Sequence, residues 1–153
     1  MQMKASFSGR SGNRGVSLIE VLISVLILGI GMLGIAAMQA TALSNSQSSV
    51  ERTQAVIHSY SILDAMRANR DAALLDAYSP GGDTGMMCAA PAGGTVTAND
   101  VNRWITDIIT SHQTGCGRIR NVGNGVFEIT VQWNDQRGTG GAATQQVVTV
   151  SRL

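Results

Sequence analysis

Gly15-Val16-Ser17-Leu18-Ile19-Glu20, continued by an apolar run from Val21 to Met38 that only Ser24 interrupts, decides how this chain is read. As a helix, that run has about the length that spans a bilayer core. Upstream, Met1–Gly15 holds Lys4, Arg10 and Arg14 and no acid, and Glu20 is the first acid in the chain. The positive-inside rule then keeps the N-terminus cytoplasmic and sends the rest of the chain across. Gly29, Gly31 and Gly34 each cost about 1 kcal/mol of helix propensity in water. In a membrane or a helix bundle they permit close helix approach. Glu20 is the anomaly, because a charge in hydrocarbon costs about 2.5–3.5 kcal/mol even on the lenient insertion scale. A partner should return that energy.

Three kinds of segment fit the run. A secretory signal peptide would use Ala40-Thr41-Ala42 as its cleavage site, but the run exceeds the usual apolar core and Glu20 interrupts its start. A plain single-span anchor explains the length and gives Glu20 no partner. The third is the type III signal of type IV prepilins and pseudopilins, which residues 15–38 resemble.

That resemblance implies cleavage by a dedicated prepilin peptidase between Gly15 and Val16, on the cytoplasmic side, and N-methylation of the new Val16 amine. Glu20 then follows one helical turn later, where its carboxylate meets the amine of a neighbouring subunit in a staggered fibre. Opposite charges attract strongly in low dielectric, although desolvation offsets much of the gain. In this reading Glu20 sets register and has no catalytic role. The chain departs from the commoner pattern in two places. Val16 stands where phenylalanine or methionine is more frequent, and Ala37 stands where many major pilins carry a helix-kinking proline.

Helical spacing continues past the apolar run. No proline occurs before Pro80, and Val50, Ile57, Tyr60, Leu63 and Met66 recur at mostly three-, four- or seven-residue intervals. The pattern predicts one helix from Val16 to about Asn69, roughly 80 Å long at 1.5 Å per residue. Its second half is expected to be amphipathic, with Ser44–Ser49 toward water or polar neighbours. Asp71–Tyr78 adds a further helical turn or two before Ser79-Pro80-Gly81-Gly82 breaks it. The following stretch to Gly94 reads as a surface loop carrying Cys88. Asn99 or Asp100 is placed to cap a short helix whose stripe is Val101, Trp104, Ile105, Ile108 and Ile109. The period then changes to two. Phe127, Ile129, Val131 and Trp133 alternate with polar residues as a half-buried strand. Gln146–Arg152 reads as a second strand after the Gly138–Gly141 turn, and Gly117–Val122 as a candidate third. The fold class is therefore α+β: a long N-terminal helix packed on a small antiparallel sheet.

That outline is pilin-like. Within the class the chain is most similar to minor pilins of the type IV pilus modification (PilV) group. The residues that carry this are Gly-Val-Ser-Leu-Ile-Glu-Val-Leu at 15–22 and Gly-Ile-Gly-Met-Leu-Gly-Ile at 29–35. Ala65-Met66-Arg67-Ala68-Asn69-Arg70, the short Trp-containing helix and Val131-Gln132-Trp133-Asn134-Asp135 complete them. The implied organisation is a leader (1–15), a transmembrane or fibre-core helix (16–38), the amphipathic half of that helix (39–70) and a periplasmic globular domain (71–153). The implied role is a structural subunit in type IV pilus assembly at or near the fibre tip, with twitching and adhesion downstream. A pseudopilin of type II secretion is the alternative. Implied partners are other minor pilins, the major pilin, the prepilin peptidase and the inner-membrane assembly platform. With export, Cys88 and Cys116 are expected to pair as a disulfide, two buried thiols being the alternative.

The chain has 153 residues, 14% of them charged and 4% aromatic. Removing the leader leaves 8 basic against 10 acidic side chains, a net charge of −2. That balance gives no long-range attraction for nucleic-acid phosphates. No nucleophile elbow, phosphate loop or metal-binding motif is present, so no enzyme activity, cofactor or metal is expected. His58 and His112 read as surface or packing residues. Asp83 reads as a turn former.

Overall fold

The computed structural model describes residues 15–153. The leader residues 1–14, with Lys4, Arg10 and Arg14, lie outside the described residues. The elements run α1 (Leu18–Ala68), α2 (Arg70–Leu74), a 3₁₀ turn (Pro80–Gly82), α3 (Val96–Ser111), β1 (Cys116–Gly123), β2 (Val126–Trp133) and β3 (Gln145–Arg152). The fold is α+β, a long N-terminal helix with a three-stranded antiparallel sheet in the order β1-β2-β3. The chain divides into two compact units, residues 1–39 and 40–153.

In the first unit α1 is apolar on every side. An 18-residue window of it has a mean hydropathy of 2.6 and none of it is buried within the chain. Among the described residues this is the one helix long and apolar enough to cross a membrane. No side chain lies near the positions a Cβ would take at Gly29, Gly31 or Gly34.

In the second unit the buried face of α1 consists of Ala55, Ser59, Ile62, Leu63 and Met66. They share one core with Phe127, Ile129, Val131 and Trp133 of β2 and with Val101, Trp104, Ile105 and Ile108 of α3. The expected stripe on α1 is thus corrected in part. Leu63 and Met66 are buried, but Val50, Ile57 and Tyr60 are exposed. Small residues mark the true face: Ala55 and Ser59 are fully buried, and the Ser59 hydroxyl satisfies itself by donating to the Ala55 carbonyl at 2.9 Å.

The cap of α3 also differs from expectation. The helix starts earlier, at Val96, and Thr95 caps it by accepting from the Ala98 amide at 3.1 Å. Asn99 instead holds the Gly94 amide, and Asp100 accepts from the Tyr78 hydroxyl at 2.7 Å. One turn of helix was hidden because Val96-Thr97 lacks the apolar period.

The strand Cys116–Gly123 is real and is joined to β2 by a tight turn at Asn124-Gly125, both at positive φ. Asn-Gly suits such a turn because both central residues must adopt the left-handed region. The other edge of β1 is covered by the loop before α3. Met87 and Gly117 exchange both backbone hydrogen bonds, at 2.8 and 2.9 Å, and Cys88 is disulfide-bonded to Cys116. That coverage removes an open strand edge.

Gly117 faces α3 so closely that a Cβ there would lie 2.6 Å from the Trp104 ring and 2.8 Å from Ile105. Gly117→Ala is therefore expected to lower stability by about 1–3 kcal/mol through overpacking. An unchanged urea midpoint would show that α3 is not seated there. Replacing both Cys88 and Cys116 by serine should cost roughly 3.5 kcal/mol, from the freed 28-residue separation. An unchanged melting temperature would refute it.

Candidate functional site

Gly15-Val16-Ser17 is non-helical, and α1 begins at Leu18. The Ser17 carbonyl starts the ladder, accepting from the amides of Glu20 at 2.9 Å and Val21 at 3.3 Å. Glu20 therefore sits in the first turn, where a carboxylate is favoured by the helix dipole. Ser24, the lone polar residue in the apolar run, donates to the Glu20 carbonyl at 2.7 Å, so its hydroxyl is satisfied within the helix. The Glu20 side chain is exposed, and among the described residues no hydrogen bond or ion pair reaches its carboxylate. Val16 is exposed as well. The Gly15–Val16 bond thus lies outside the helix, in backbone a peptidase is able to engage. Around it the helix offers Leu18, Ile19, Val21, Leu22, Ile23 and Val25 without any internal partner. What this arrangement offers is one carboxylate at the head of a long apolar surface.

In the second unit several of the charged residues form structural pairs. Arg118 lies 3.2 Å from Asp83, while Arg120 donates to Glu128 at 2.5 Å across β1 and β2. Asp83 also accepts from the Gly85 amide at 2.8 Å, so it holds a turn as well as an ion pair. Glu51 of α1 pairs with Arg137 of the β2–β3 connection at 2.9 Å. Around this pair Ser48 donates to Asp135 at 2.5 Å, Ser44 to the Arg137 carbonyl, and the Thr139 amide to Asn45 at 3.0 Å. The polar segment Ser44–Ser49 therefore docks a loop more than 80 residues away, an association invisible to local pattern. Among the described residues no group of three or more His, Cys, Asp or Glu side chains is arranged to hold a metal.

The two histidines come together, their ring centroids 6.2 Å apart. His58 Nε2 is 3.1 Å from the Ser111 hydroxyl, and its carbonyl accepts from the Trp104 indole at 2.9 Å. His112 is buried, with Nε2 3.0 Å from the Glu51 carbonyl. No sequence signal predicted this pairing, since the residues lie on different helices. Partial burial holds the His58 pKa below its usual 6.5, the His112 ring acts in the same direction, and Asp107 opposes both. Burial and the bond to Asp100 push the Tyr78 hydroxyl up to about 12.

Residues 10–36 match the family described as Prokaryotic N-terminal methylation motif. The chain matches none of the curated proteins and none of the solved structures with which it was compared. The match supports a type IV prepilin-like protein, pseudopilins included, and type IV pilin-motif proteins are structural subunits. It implies assembly with other pilins and processing by the prepilin peptidase. With the apolar helix it indicates membrane anchoring before incorporation into a pilus.

A depressed histidine pKa fixes the sign of a pH effect. Folded His58 resists the proton that the unfolded chain takes up, so its contribution is present above pH 6.5 and lost as pH falls through its folded pKa. The urea midpoint of the wild type should drop between about pH 7 and 5. His58→Gln, which keeps an amide near Ser111, should flatten that drop. Parallel pH profiles for the two proteins would contradict the assignment.

Proposed function

We propose that this chain is a minor pilin of the type IV pilus modification (PilV) kind, a structural subunit that takes part in pilus assembly at or near the fibre tip. The single observation that carries the proposal is the methylation motif over residues 10–36, with Glu20, unpartnered among the described residues, in the first turn of an exposed apolar helix. In this reading residues 1–15 are a cytoplasmic leader, cut between Gly15 and Val16. The Val16 amine is then methylated. Residues 16–38 anchor the subunit in the inner membrane before assembly and join the fibre core afterwards. Residues 39–70 carry the amphipathic half of the helix, and residues 71–153 face the periplasm. The partners are the prepilin peptidase, the inner-membrane assembly platform, the major pilin and other minor pilins. In this reading the role is mechanical.

The Glu20 carboxylate is assigned to the neighbouring subunit's Val16 amine in the fibre. An unmatched carboxylate in an apolar bundle is strongly penalised, so the pair selects one stagger over the others. Val50, Ile57 and Tyr60 are exposed on the second half of α1, which supports further helix contact within the fibre.

The first test is the N-terminus and mass of the mature protein with and without the prepilin peptidase. A peptidase-dependent start at Val16 is expected; an uncut Met1, or a start beyond Ala42, would overturn the proposal. Deletion should abolish twitching and spare protein secretion. The reverse result would make the chain a type II secretion pseudopilin. Glu20→Ala should still be inserted and cut, yet be depleted at least about tenfold from sheared pili. Normal incorporation would remove the register argument.

A further inference from the structure

His58 and His112 meet where residues 51–58 of α1 pass the end of α3, their ring centroids 6.2 Å apart. Each ring carries a tie between the two helices. His58 Nε2 bonds the Ser111 hydroxyl at 3.1 Å, and His112 Nε2 reaches the Glu51 carbonyl at 3.0 Å. Beyond them the chain turns into β1 through the Gly115 amide, which donates to the His112 carbonyl at 2.7 Å. The Asn134 amide, donating to the Thr114 hydroxyl at 3.1 Å, ties the same turn to the chain after β2.

The junction suits neutral rings and offers little to charged ones. The Glu51 carbonyl only accepts, so His112 Nε2 carries the proton of the neutral ring and Nδ1 keeps the lone pair. A second proton enters at Nδ1, which is buried and has no hydrogen-bond partner among the described residues. There it becomes a buried donor without an acceptor, a costly state. The tilted Trp133 ring, its centroid 5.4 Å from that of His112, supplies no acceptor atom. With both rings charged, like charges would also face each other across the junction.

The charged groups on the surrounding elements do not offset this. Partial burial, and after it the His112 ring, hold the His58 pKa below its usual 6.5 against the pull of Asp107 on α3. The Glu51 carboxylate of α1 is engaged by Arg137 at 2.9 Å, and Asp135 by the Ser48 hydroxyl at 2.5 Å.

We propose that the His58–His112 junction is an acid-released latch: closed while both rings are neutral, it lets go of the end of α3 and the turn at residues 111–115 when they are protonated. In the open form both rings reach water, which supplies the acceptors that the closed form lacks. The latch is therefore closed above the ordinary histidine range and opens increasingly as pH falls below about 6.5. The opening is local and leaves the packing of β2 on α1 in place. It lies within residues 40–153 and is independent of the assembly role assigned to Glu20.

The test is hydrogen–deuterium exchange of the full chain in zwitterionic detergent at about pH 7.5 and 5.0, the lower value lying above the ordinary carboxylate range. Mass spectrometry follows peptides covering 109–116 and 126–133, with rates corrected for intrinsic exchange. Exchange in 109–116 should rise at least about tenfold at the lower pH. Urea at about 0.5 M should leave that faster exchange unchanged while speeding exchange in 126–133, the mark of a local opening. In His58→Gln, a partly exposed position, the rise should shrink at least about threefold. Equal exchange at the two pH values would overturn the proposal. So would a rise as steep in urea as that of 126–133, which is global unfolding, or an undiminished rise in His58→Gln.

Discussion

A long helix and a small sheet hold together through the apolar face they bury in common. On α1 that face is Ala55, Ser59, Ile62, Leu63 and Met66, all of them buried. Opposite them β2 contributes Phe127, Ile129, Val131 and Trp133, each 0–1% exposed. Each such large side chain is worth about 1.5–3 kcal/mol on burial, so this seam outweighs any ion pair in the second unit. The remaining elements are arranged around it. β1 and β3 flank β2 on either side, and α3 closes the core through Trp104, Ile105 and Ile108.

Trp104 connects three parts of that arrangement. Its indole N–H reaches the His58 carbonyl of α1, and its ring lies where Gly117 of β1 has no side chain. Next to Gly117 the Cys88–Cys116 disulfide and the Met87 backbone pin the preceding loop along the strand. A loop rich in glycine and alanine has little apolar surface to bury, so covalent and backbone links replace packing there. The same economy holds at the β2–β3 connection, where Glu51, Ser48, Ser44 and Asn45 hold a glycine-rich loop by polar contacts.

Much of this was legible where one physical preference acts locally. The alternation of Phe127, Ile129, Val131 and Trp133 with polar residues identified β2, and the stripe from Val101 to Ile109 identified α3. The apolar run after Glu20 identified the first half of α1. The second half misled, because large apolar residues fall on both faces of α1, while Ala55 and Ser59, which carry little apolar weight, lie on the buried one. Val50, Ile57 and Tyr60 consequently lie exposed. Thr95 was missed as a cap because the first turn of α3 is polar and carries no period. The Asn124-Gly125 turn carries a local signal of its own, an Asn-Gly between two strand-forming runs. The approach of His58 to His112 and the Glu51–Arg137 pair had none, since each depends on how distant segments fold onto α1.

The first half of α1 poses a different energetic problem. Leu18, Ile19, Val21, Leu22, Ile23, Val25, Leu26, Ile27, Leu28 and Ile30 are all more than half exposed. At about 1.5–3 kcal/mol per side chain, moving that surface out of water outweighs the roughly 2.5–3.5 kcal/mol opposing a single carboxylate. Glu20 therefore does not decide whether the segment enters an apolar environment. It acts on a smaller scale, among arrangements equally apolar but differing in what lies beside the carboxylate. Hydrophobic burial is non-directional and leaves those arrangements nearly degenerate. A charge that must be matched is what separates them, and on the proposed reading a new amine at Val16 is the match. Large undirected energy and small directed energy thus fall to different residues of one helix. On that reading the motif joins them because neither alone would give a fibre of one defined stagger.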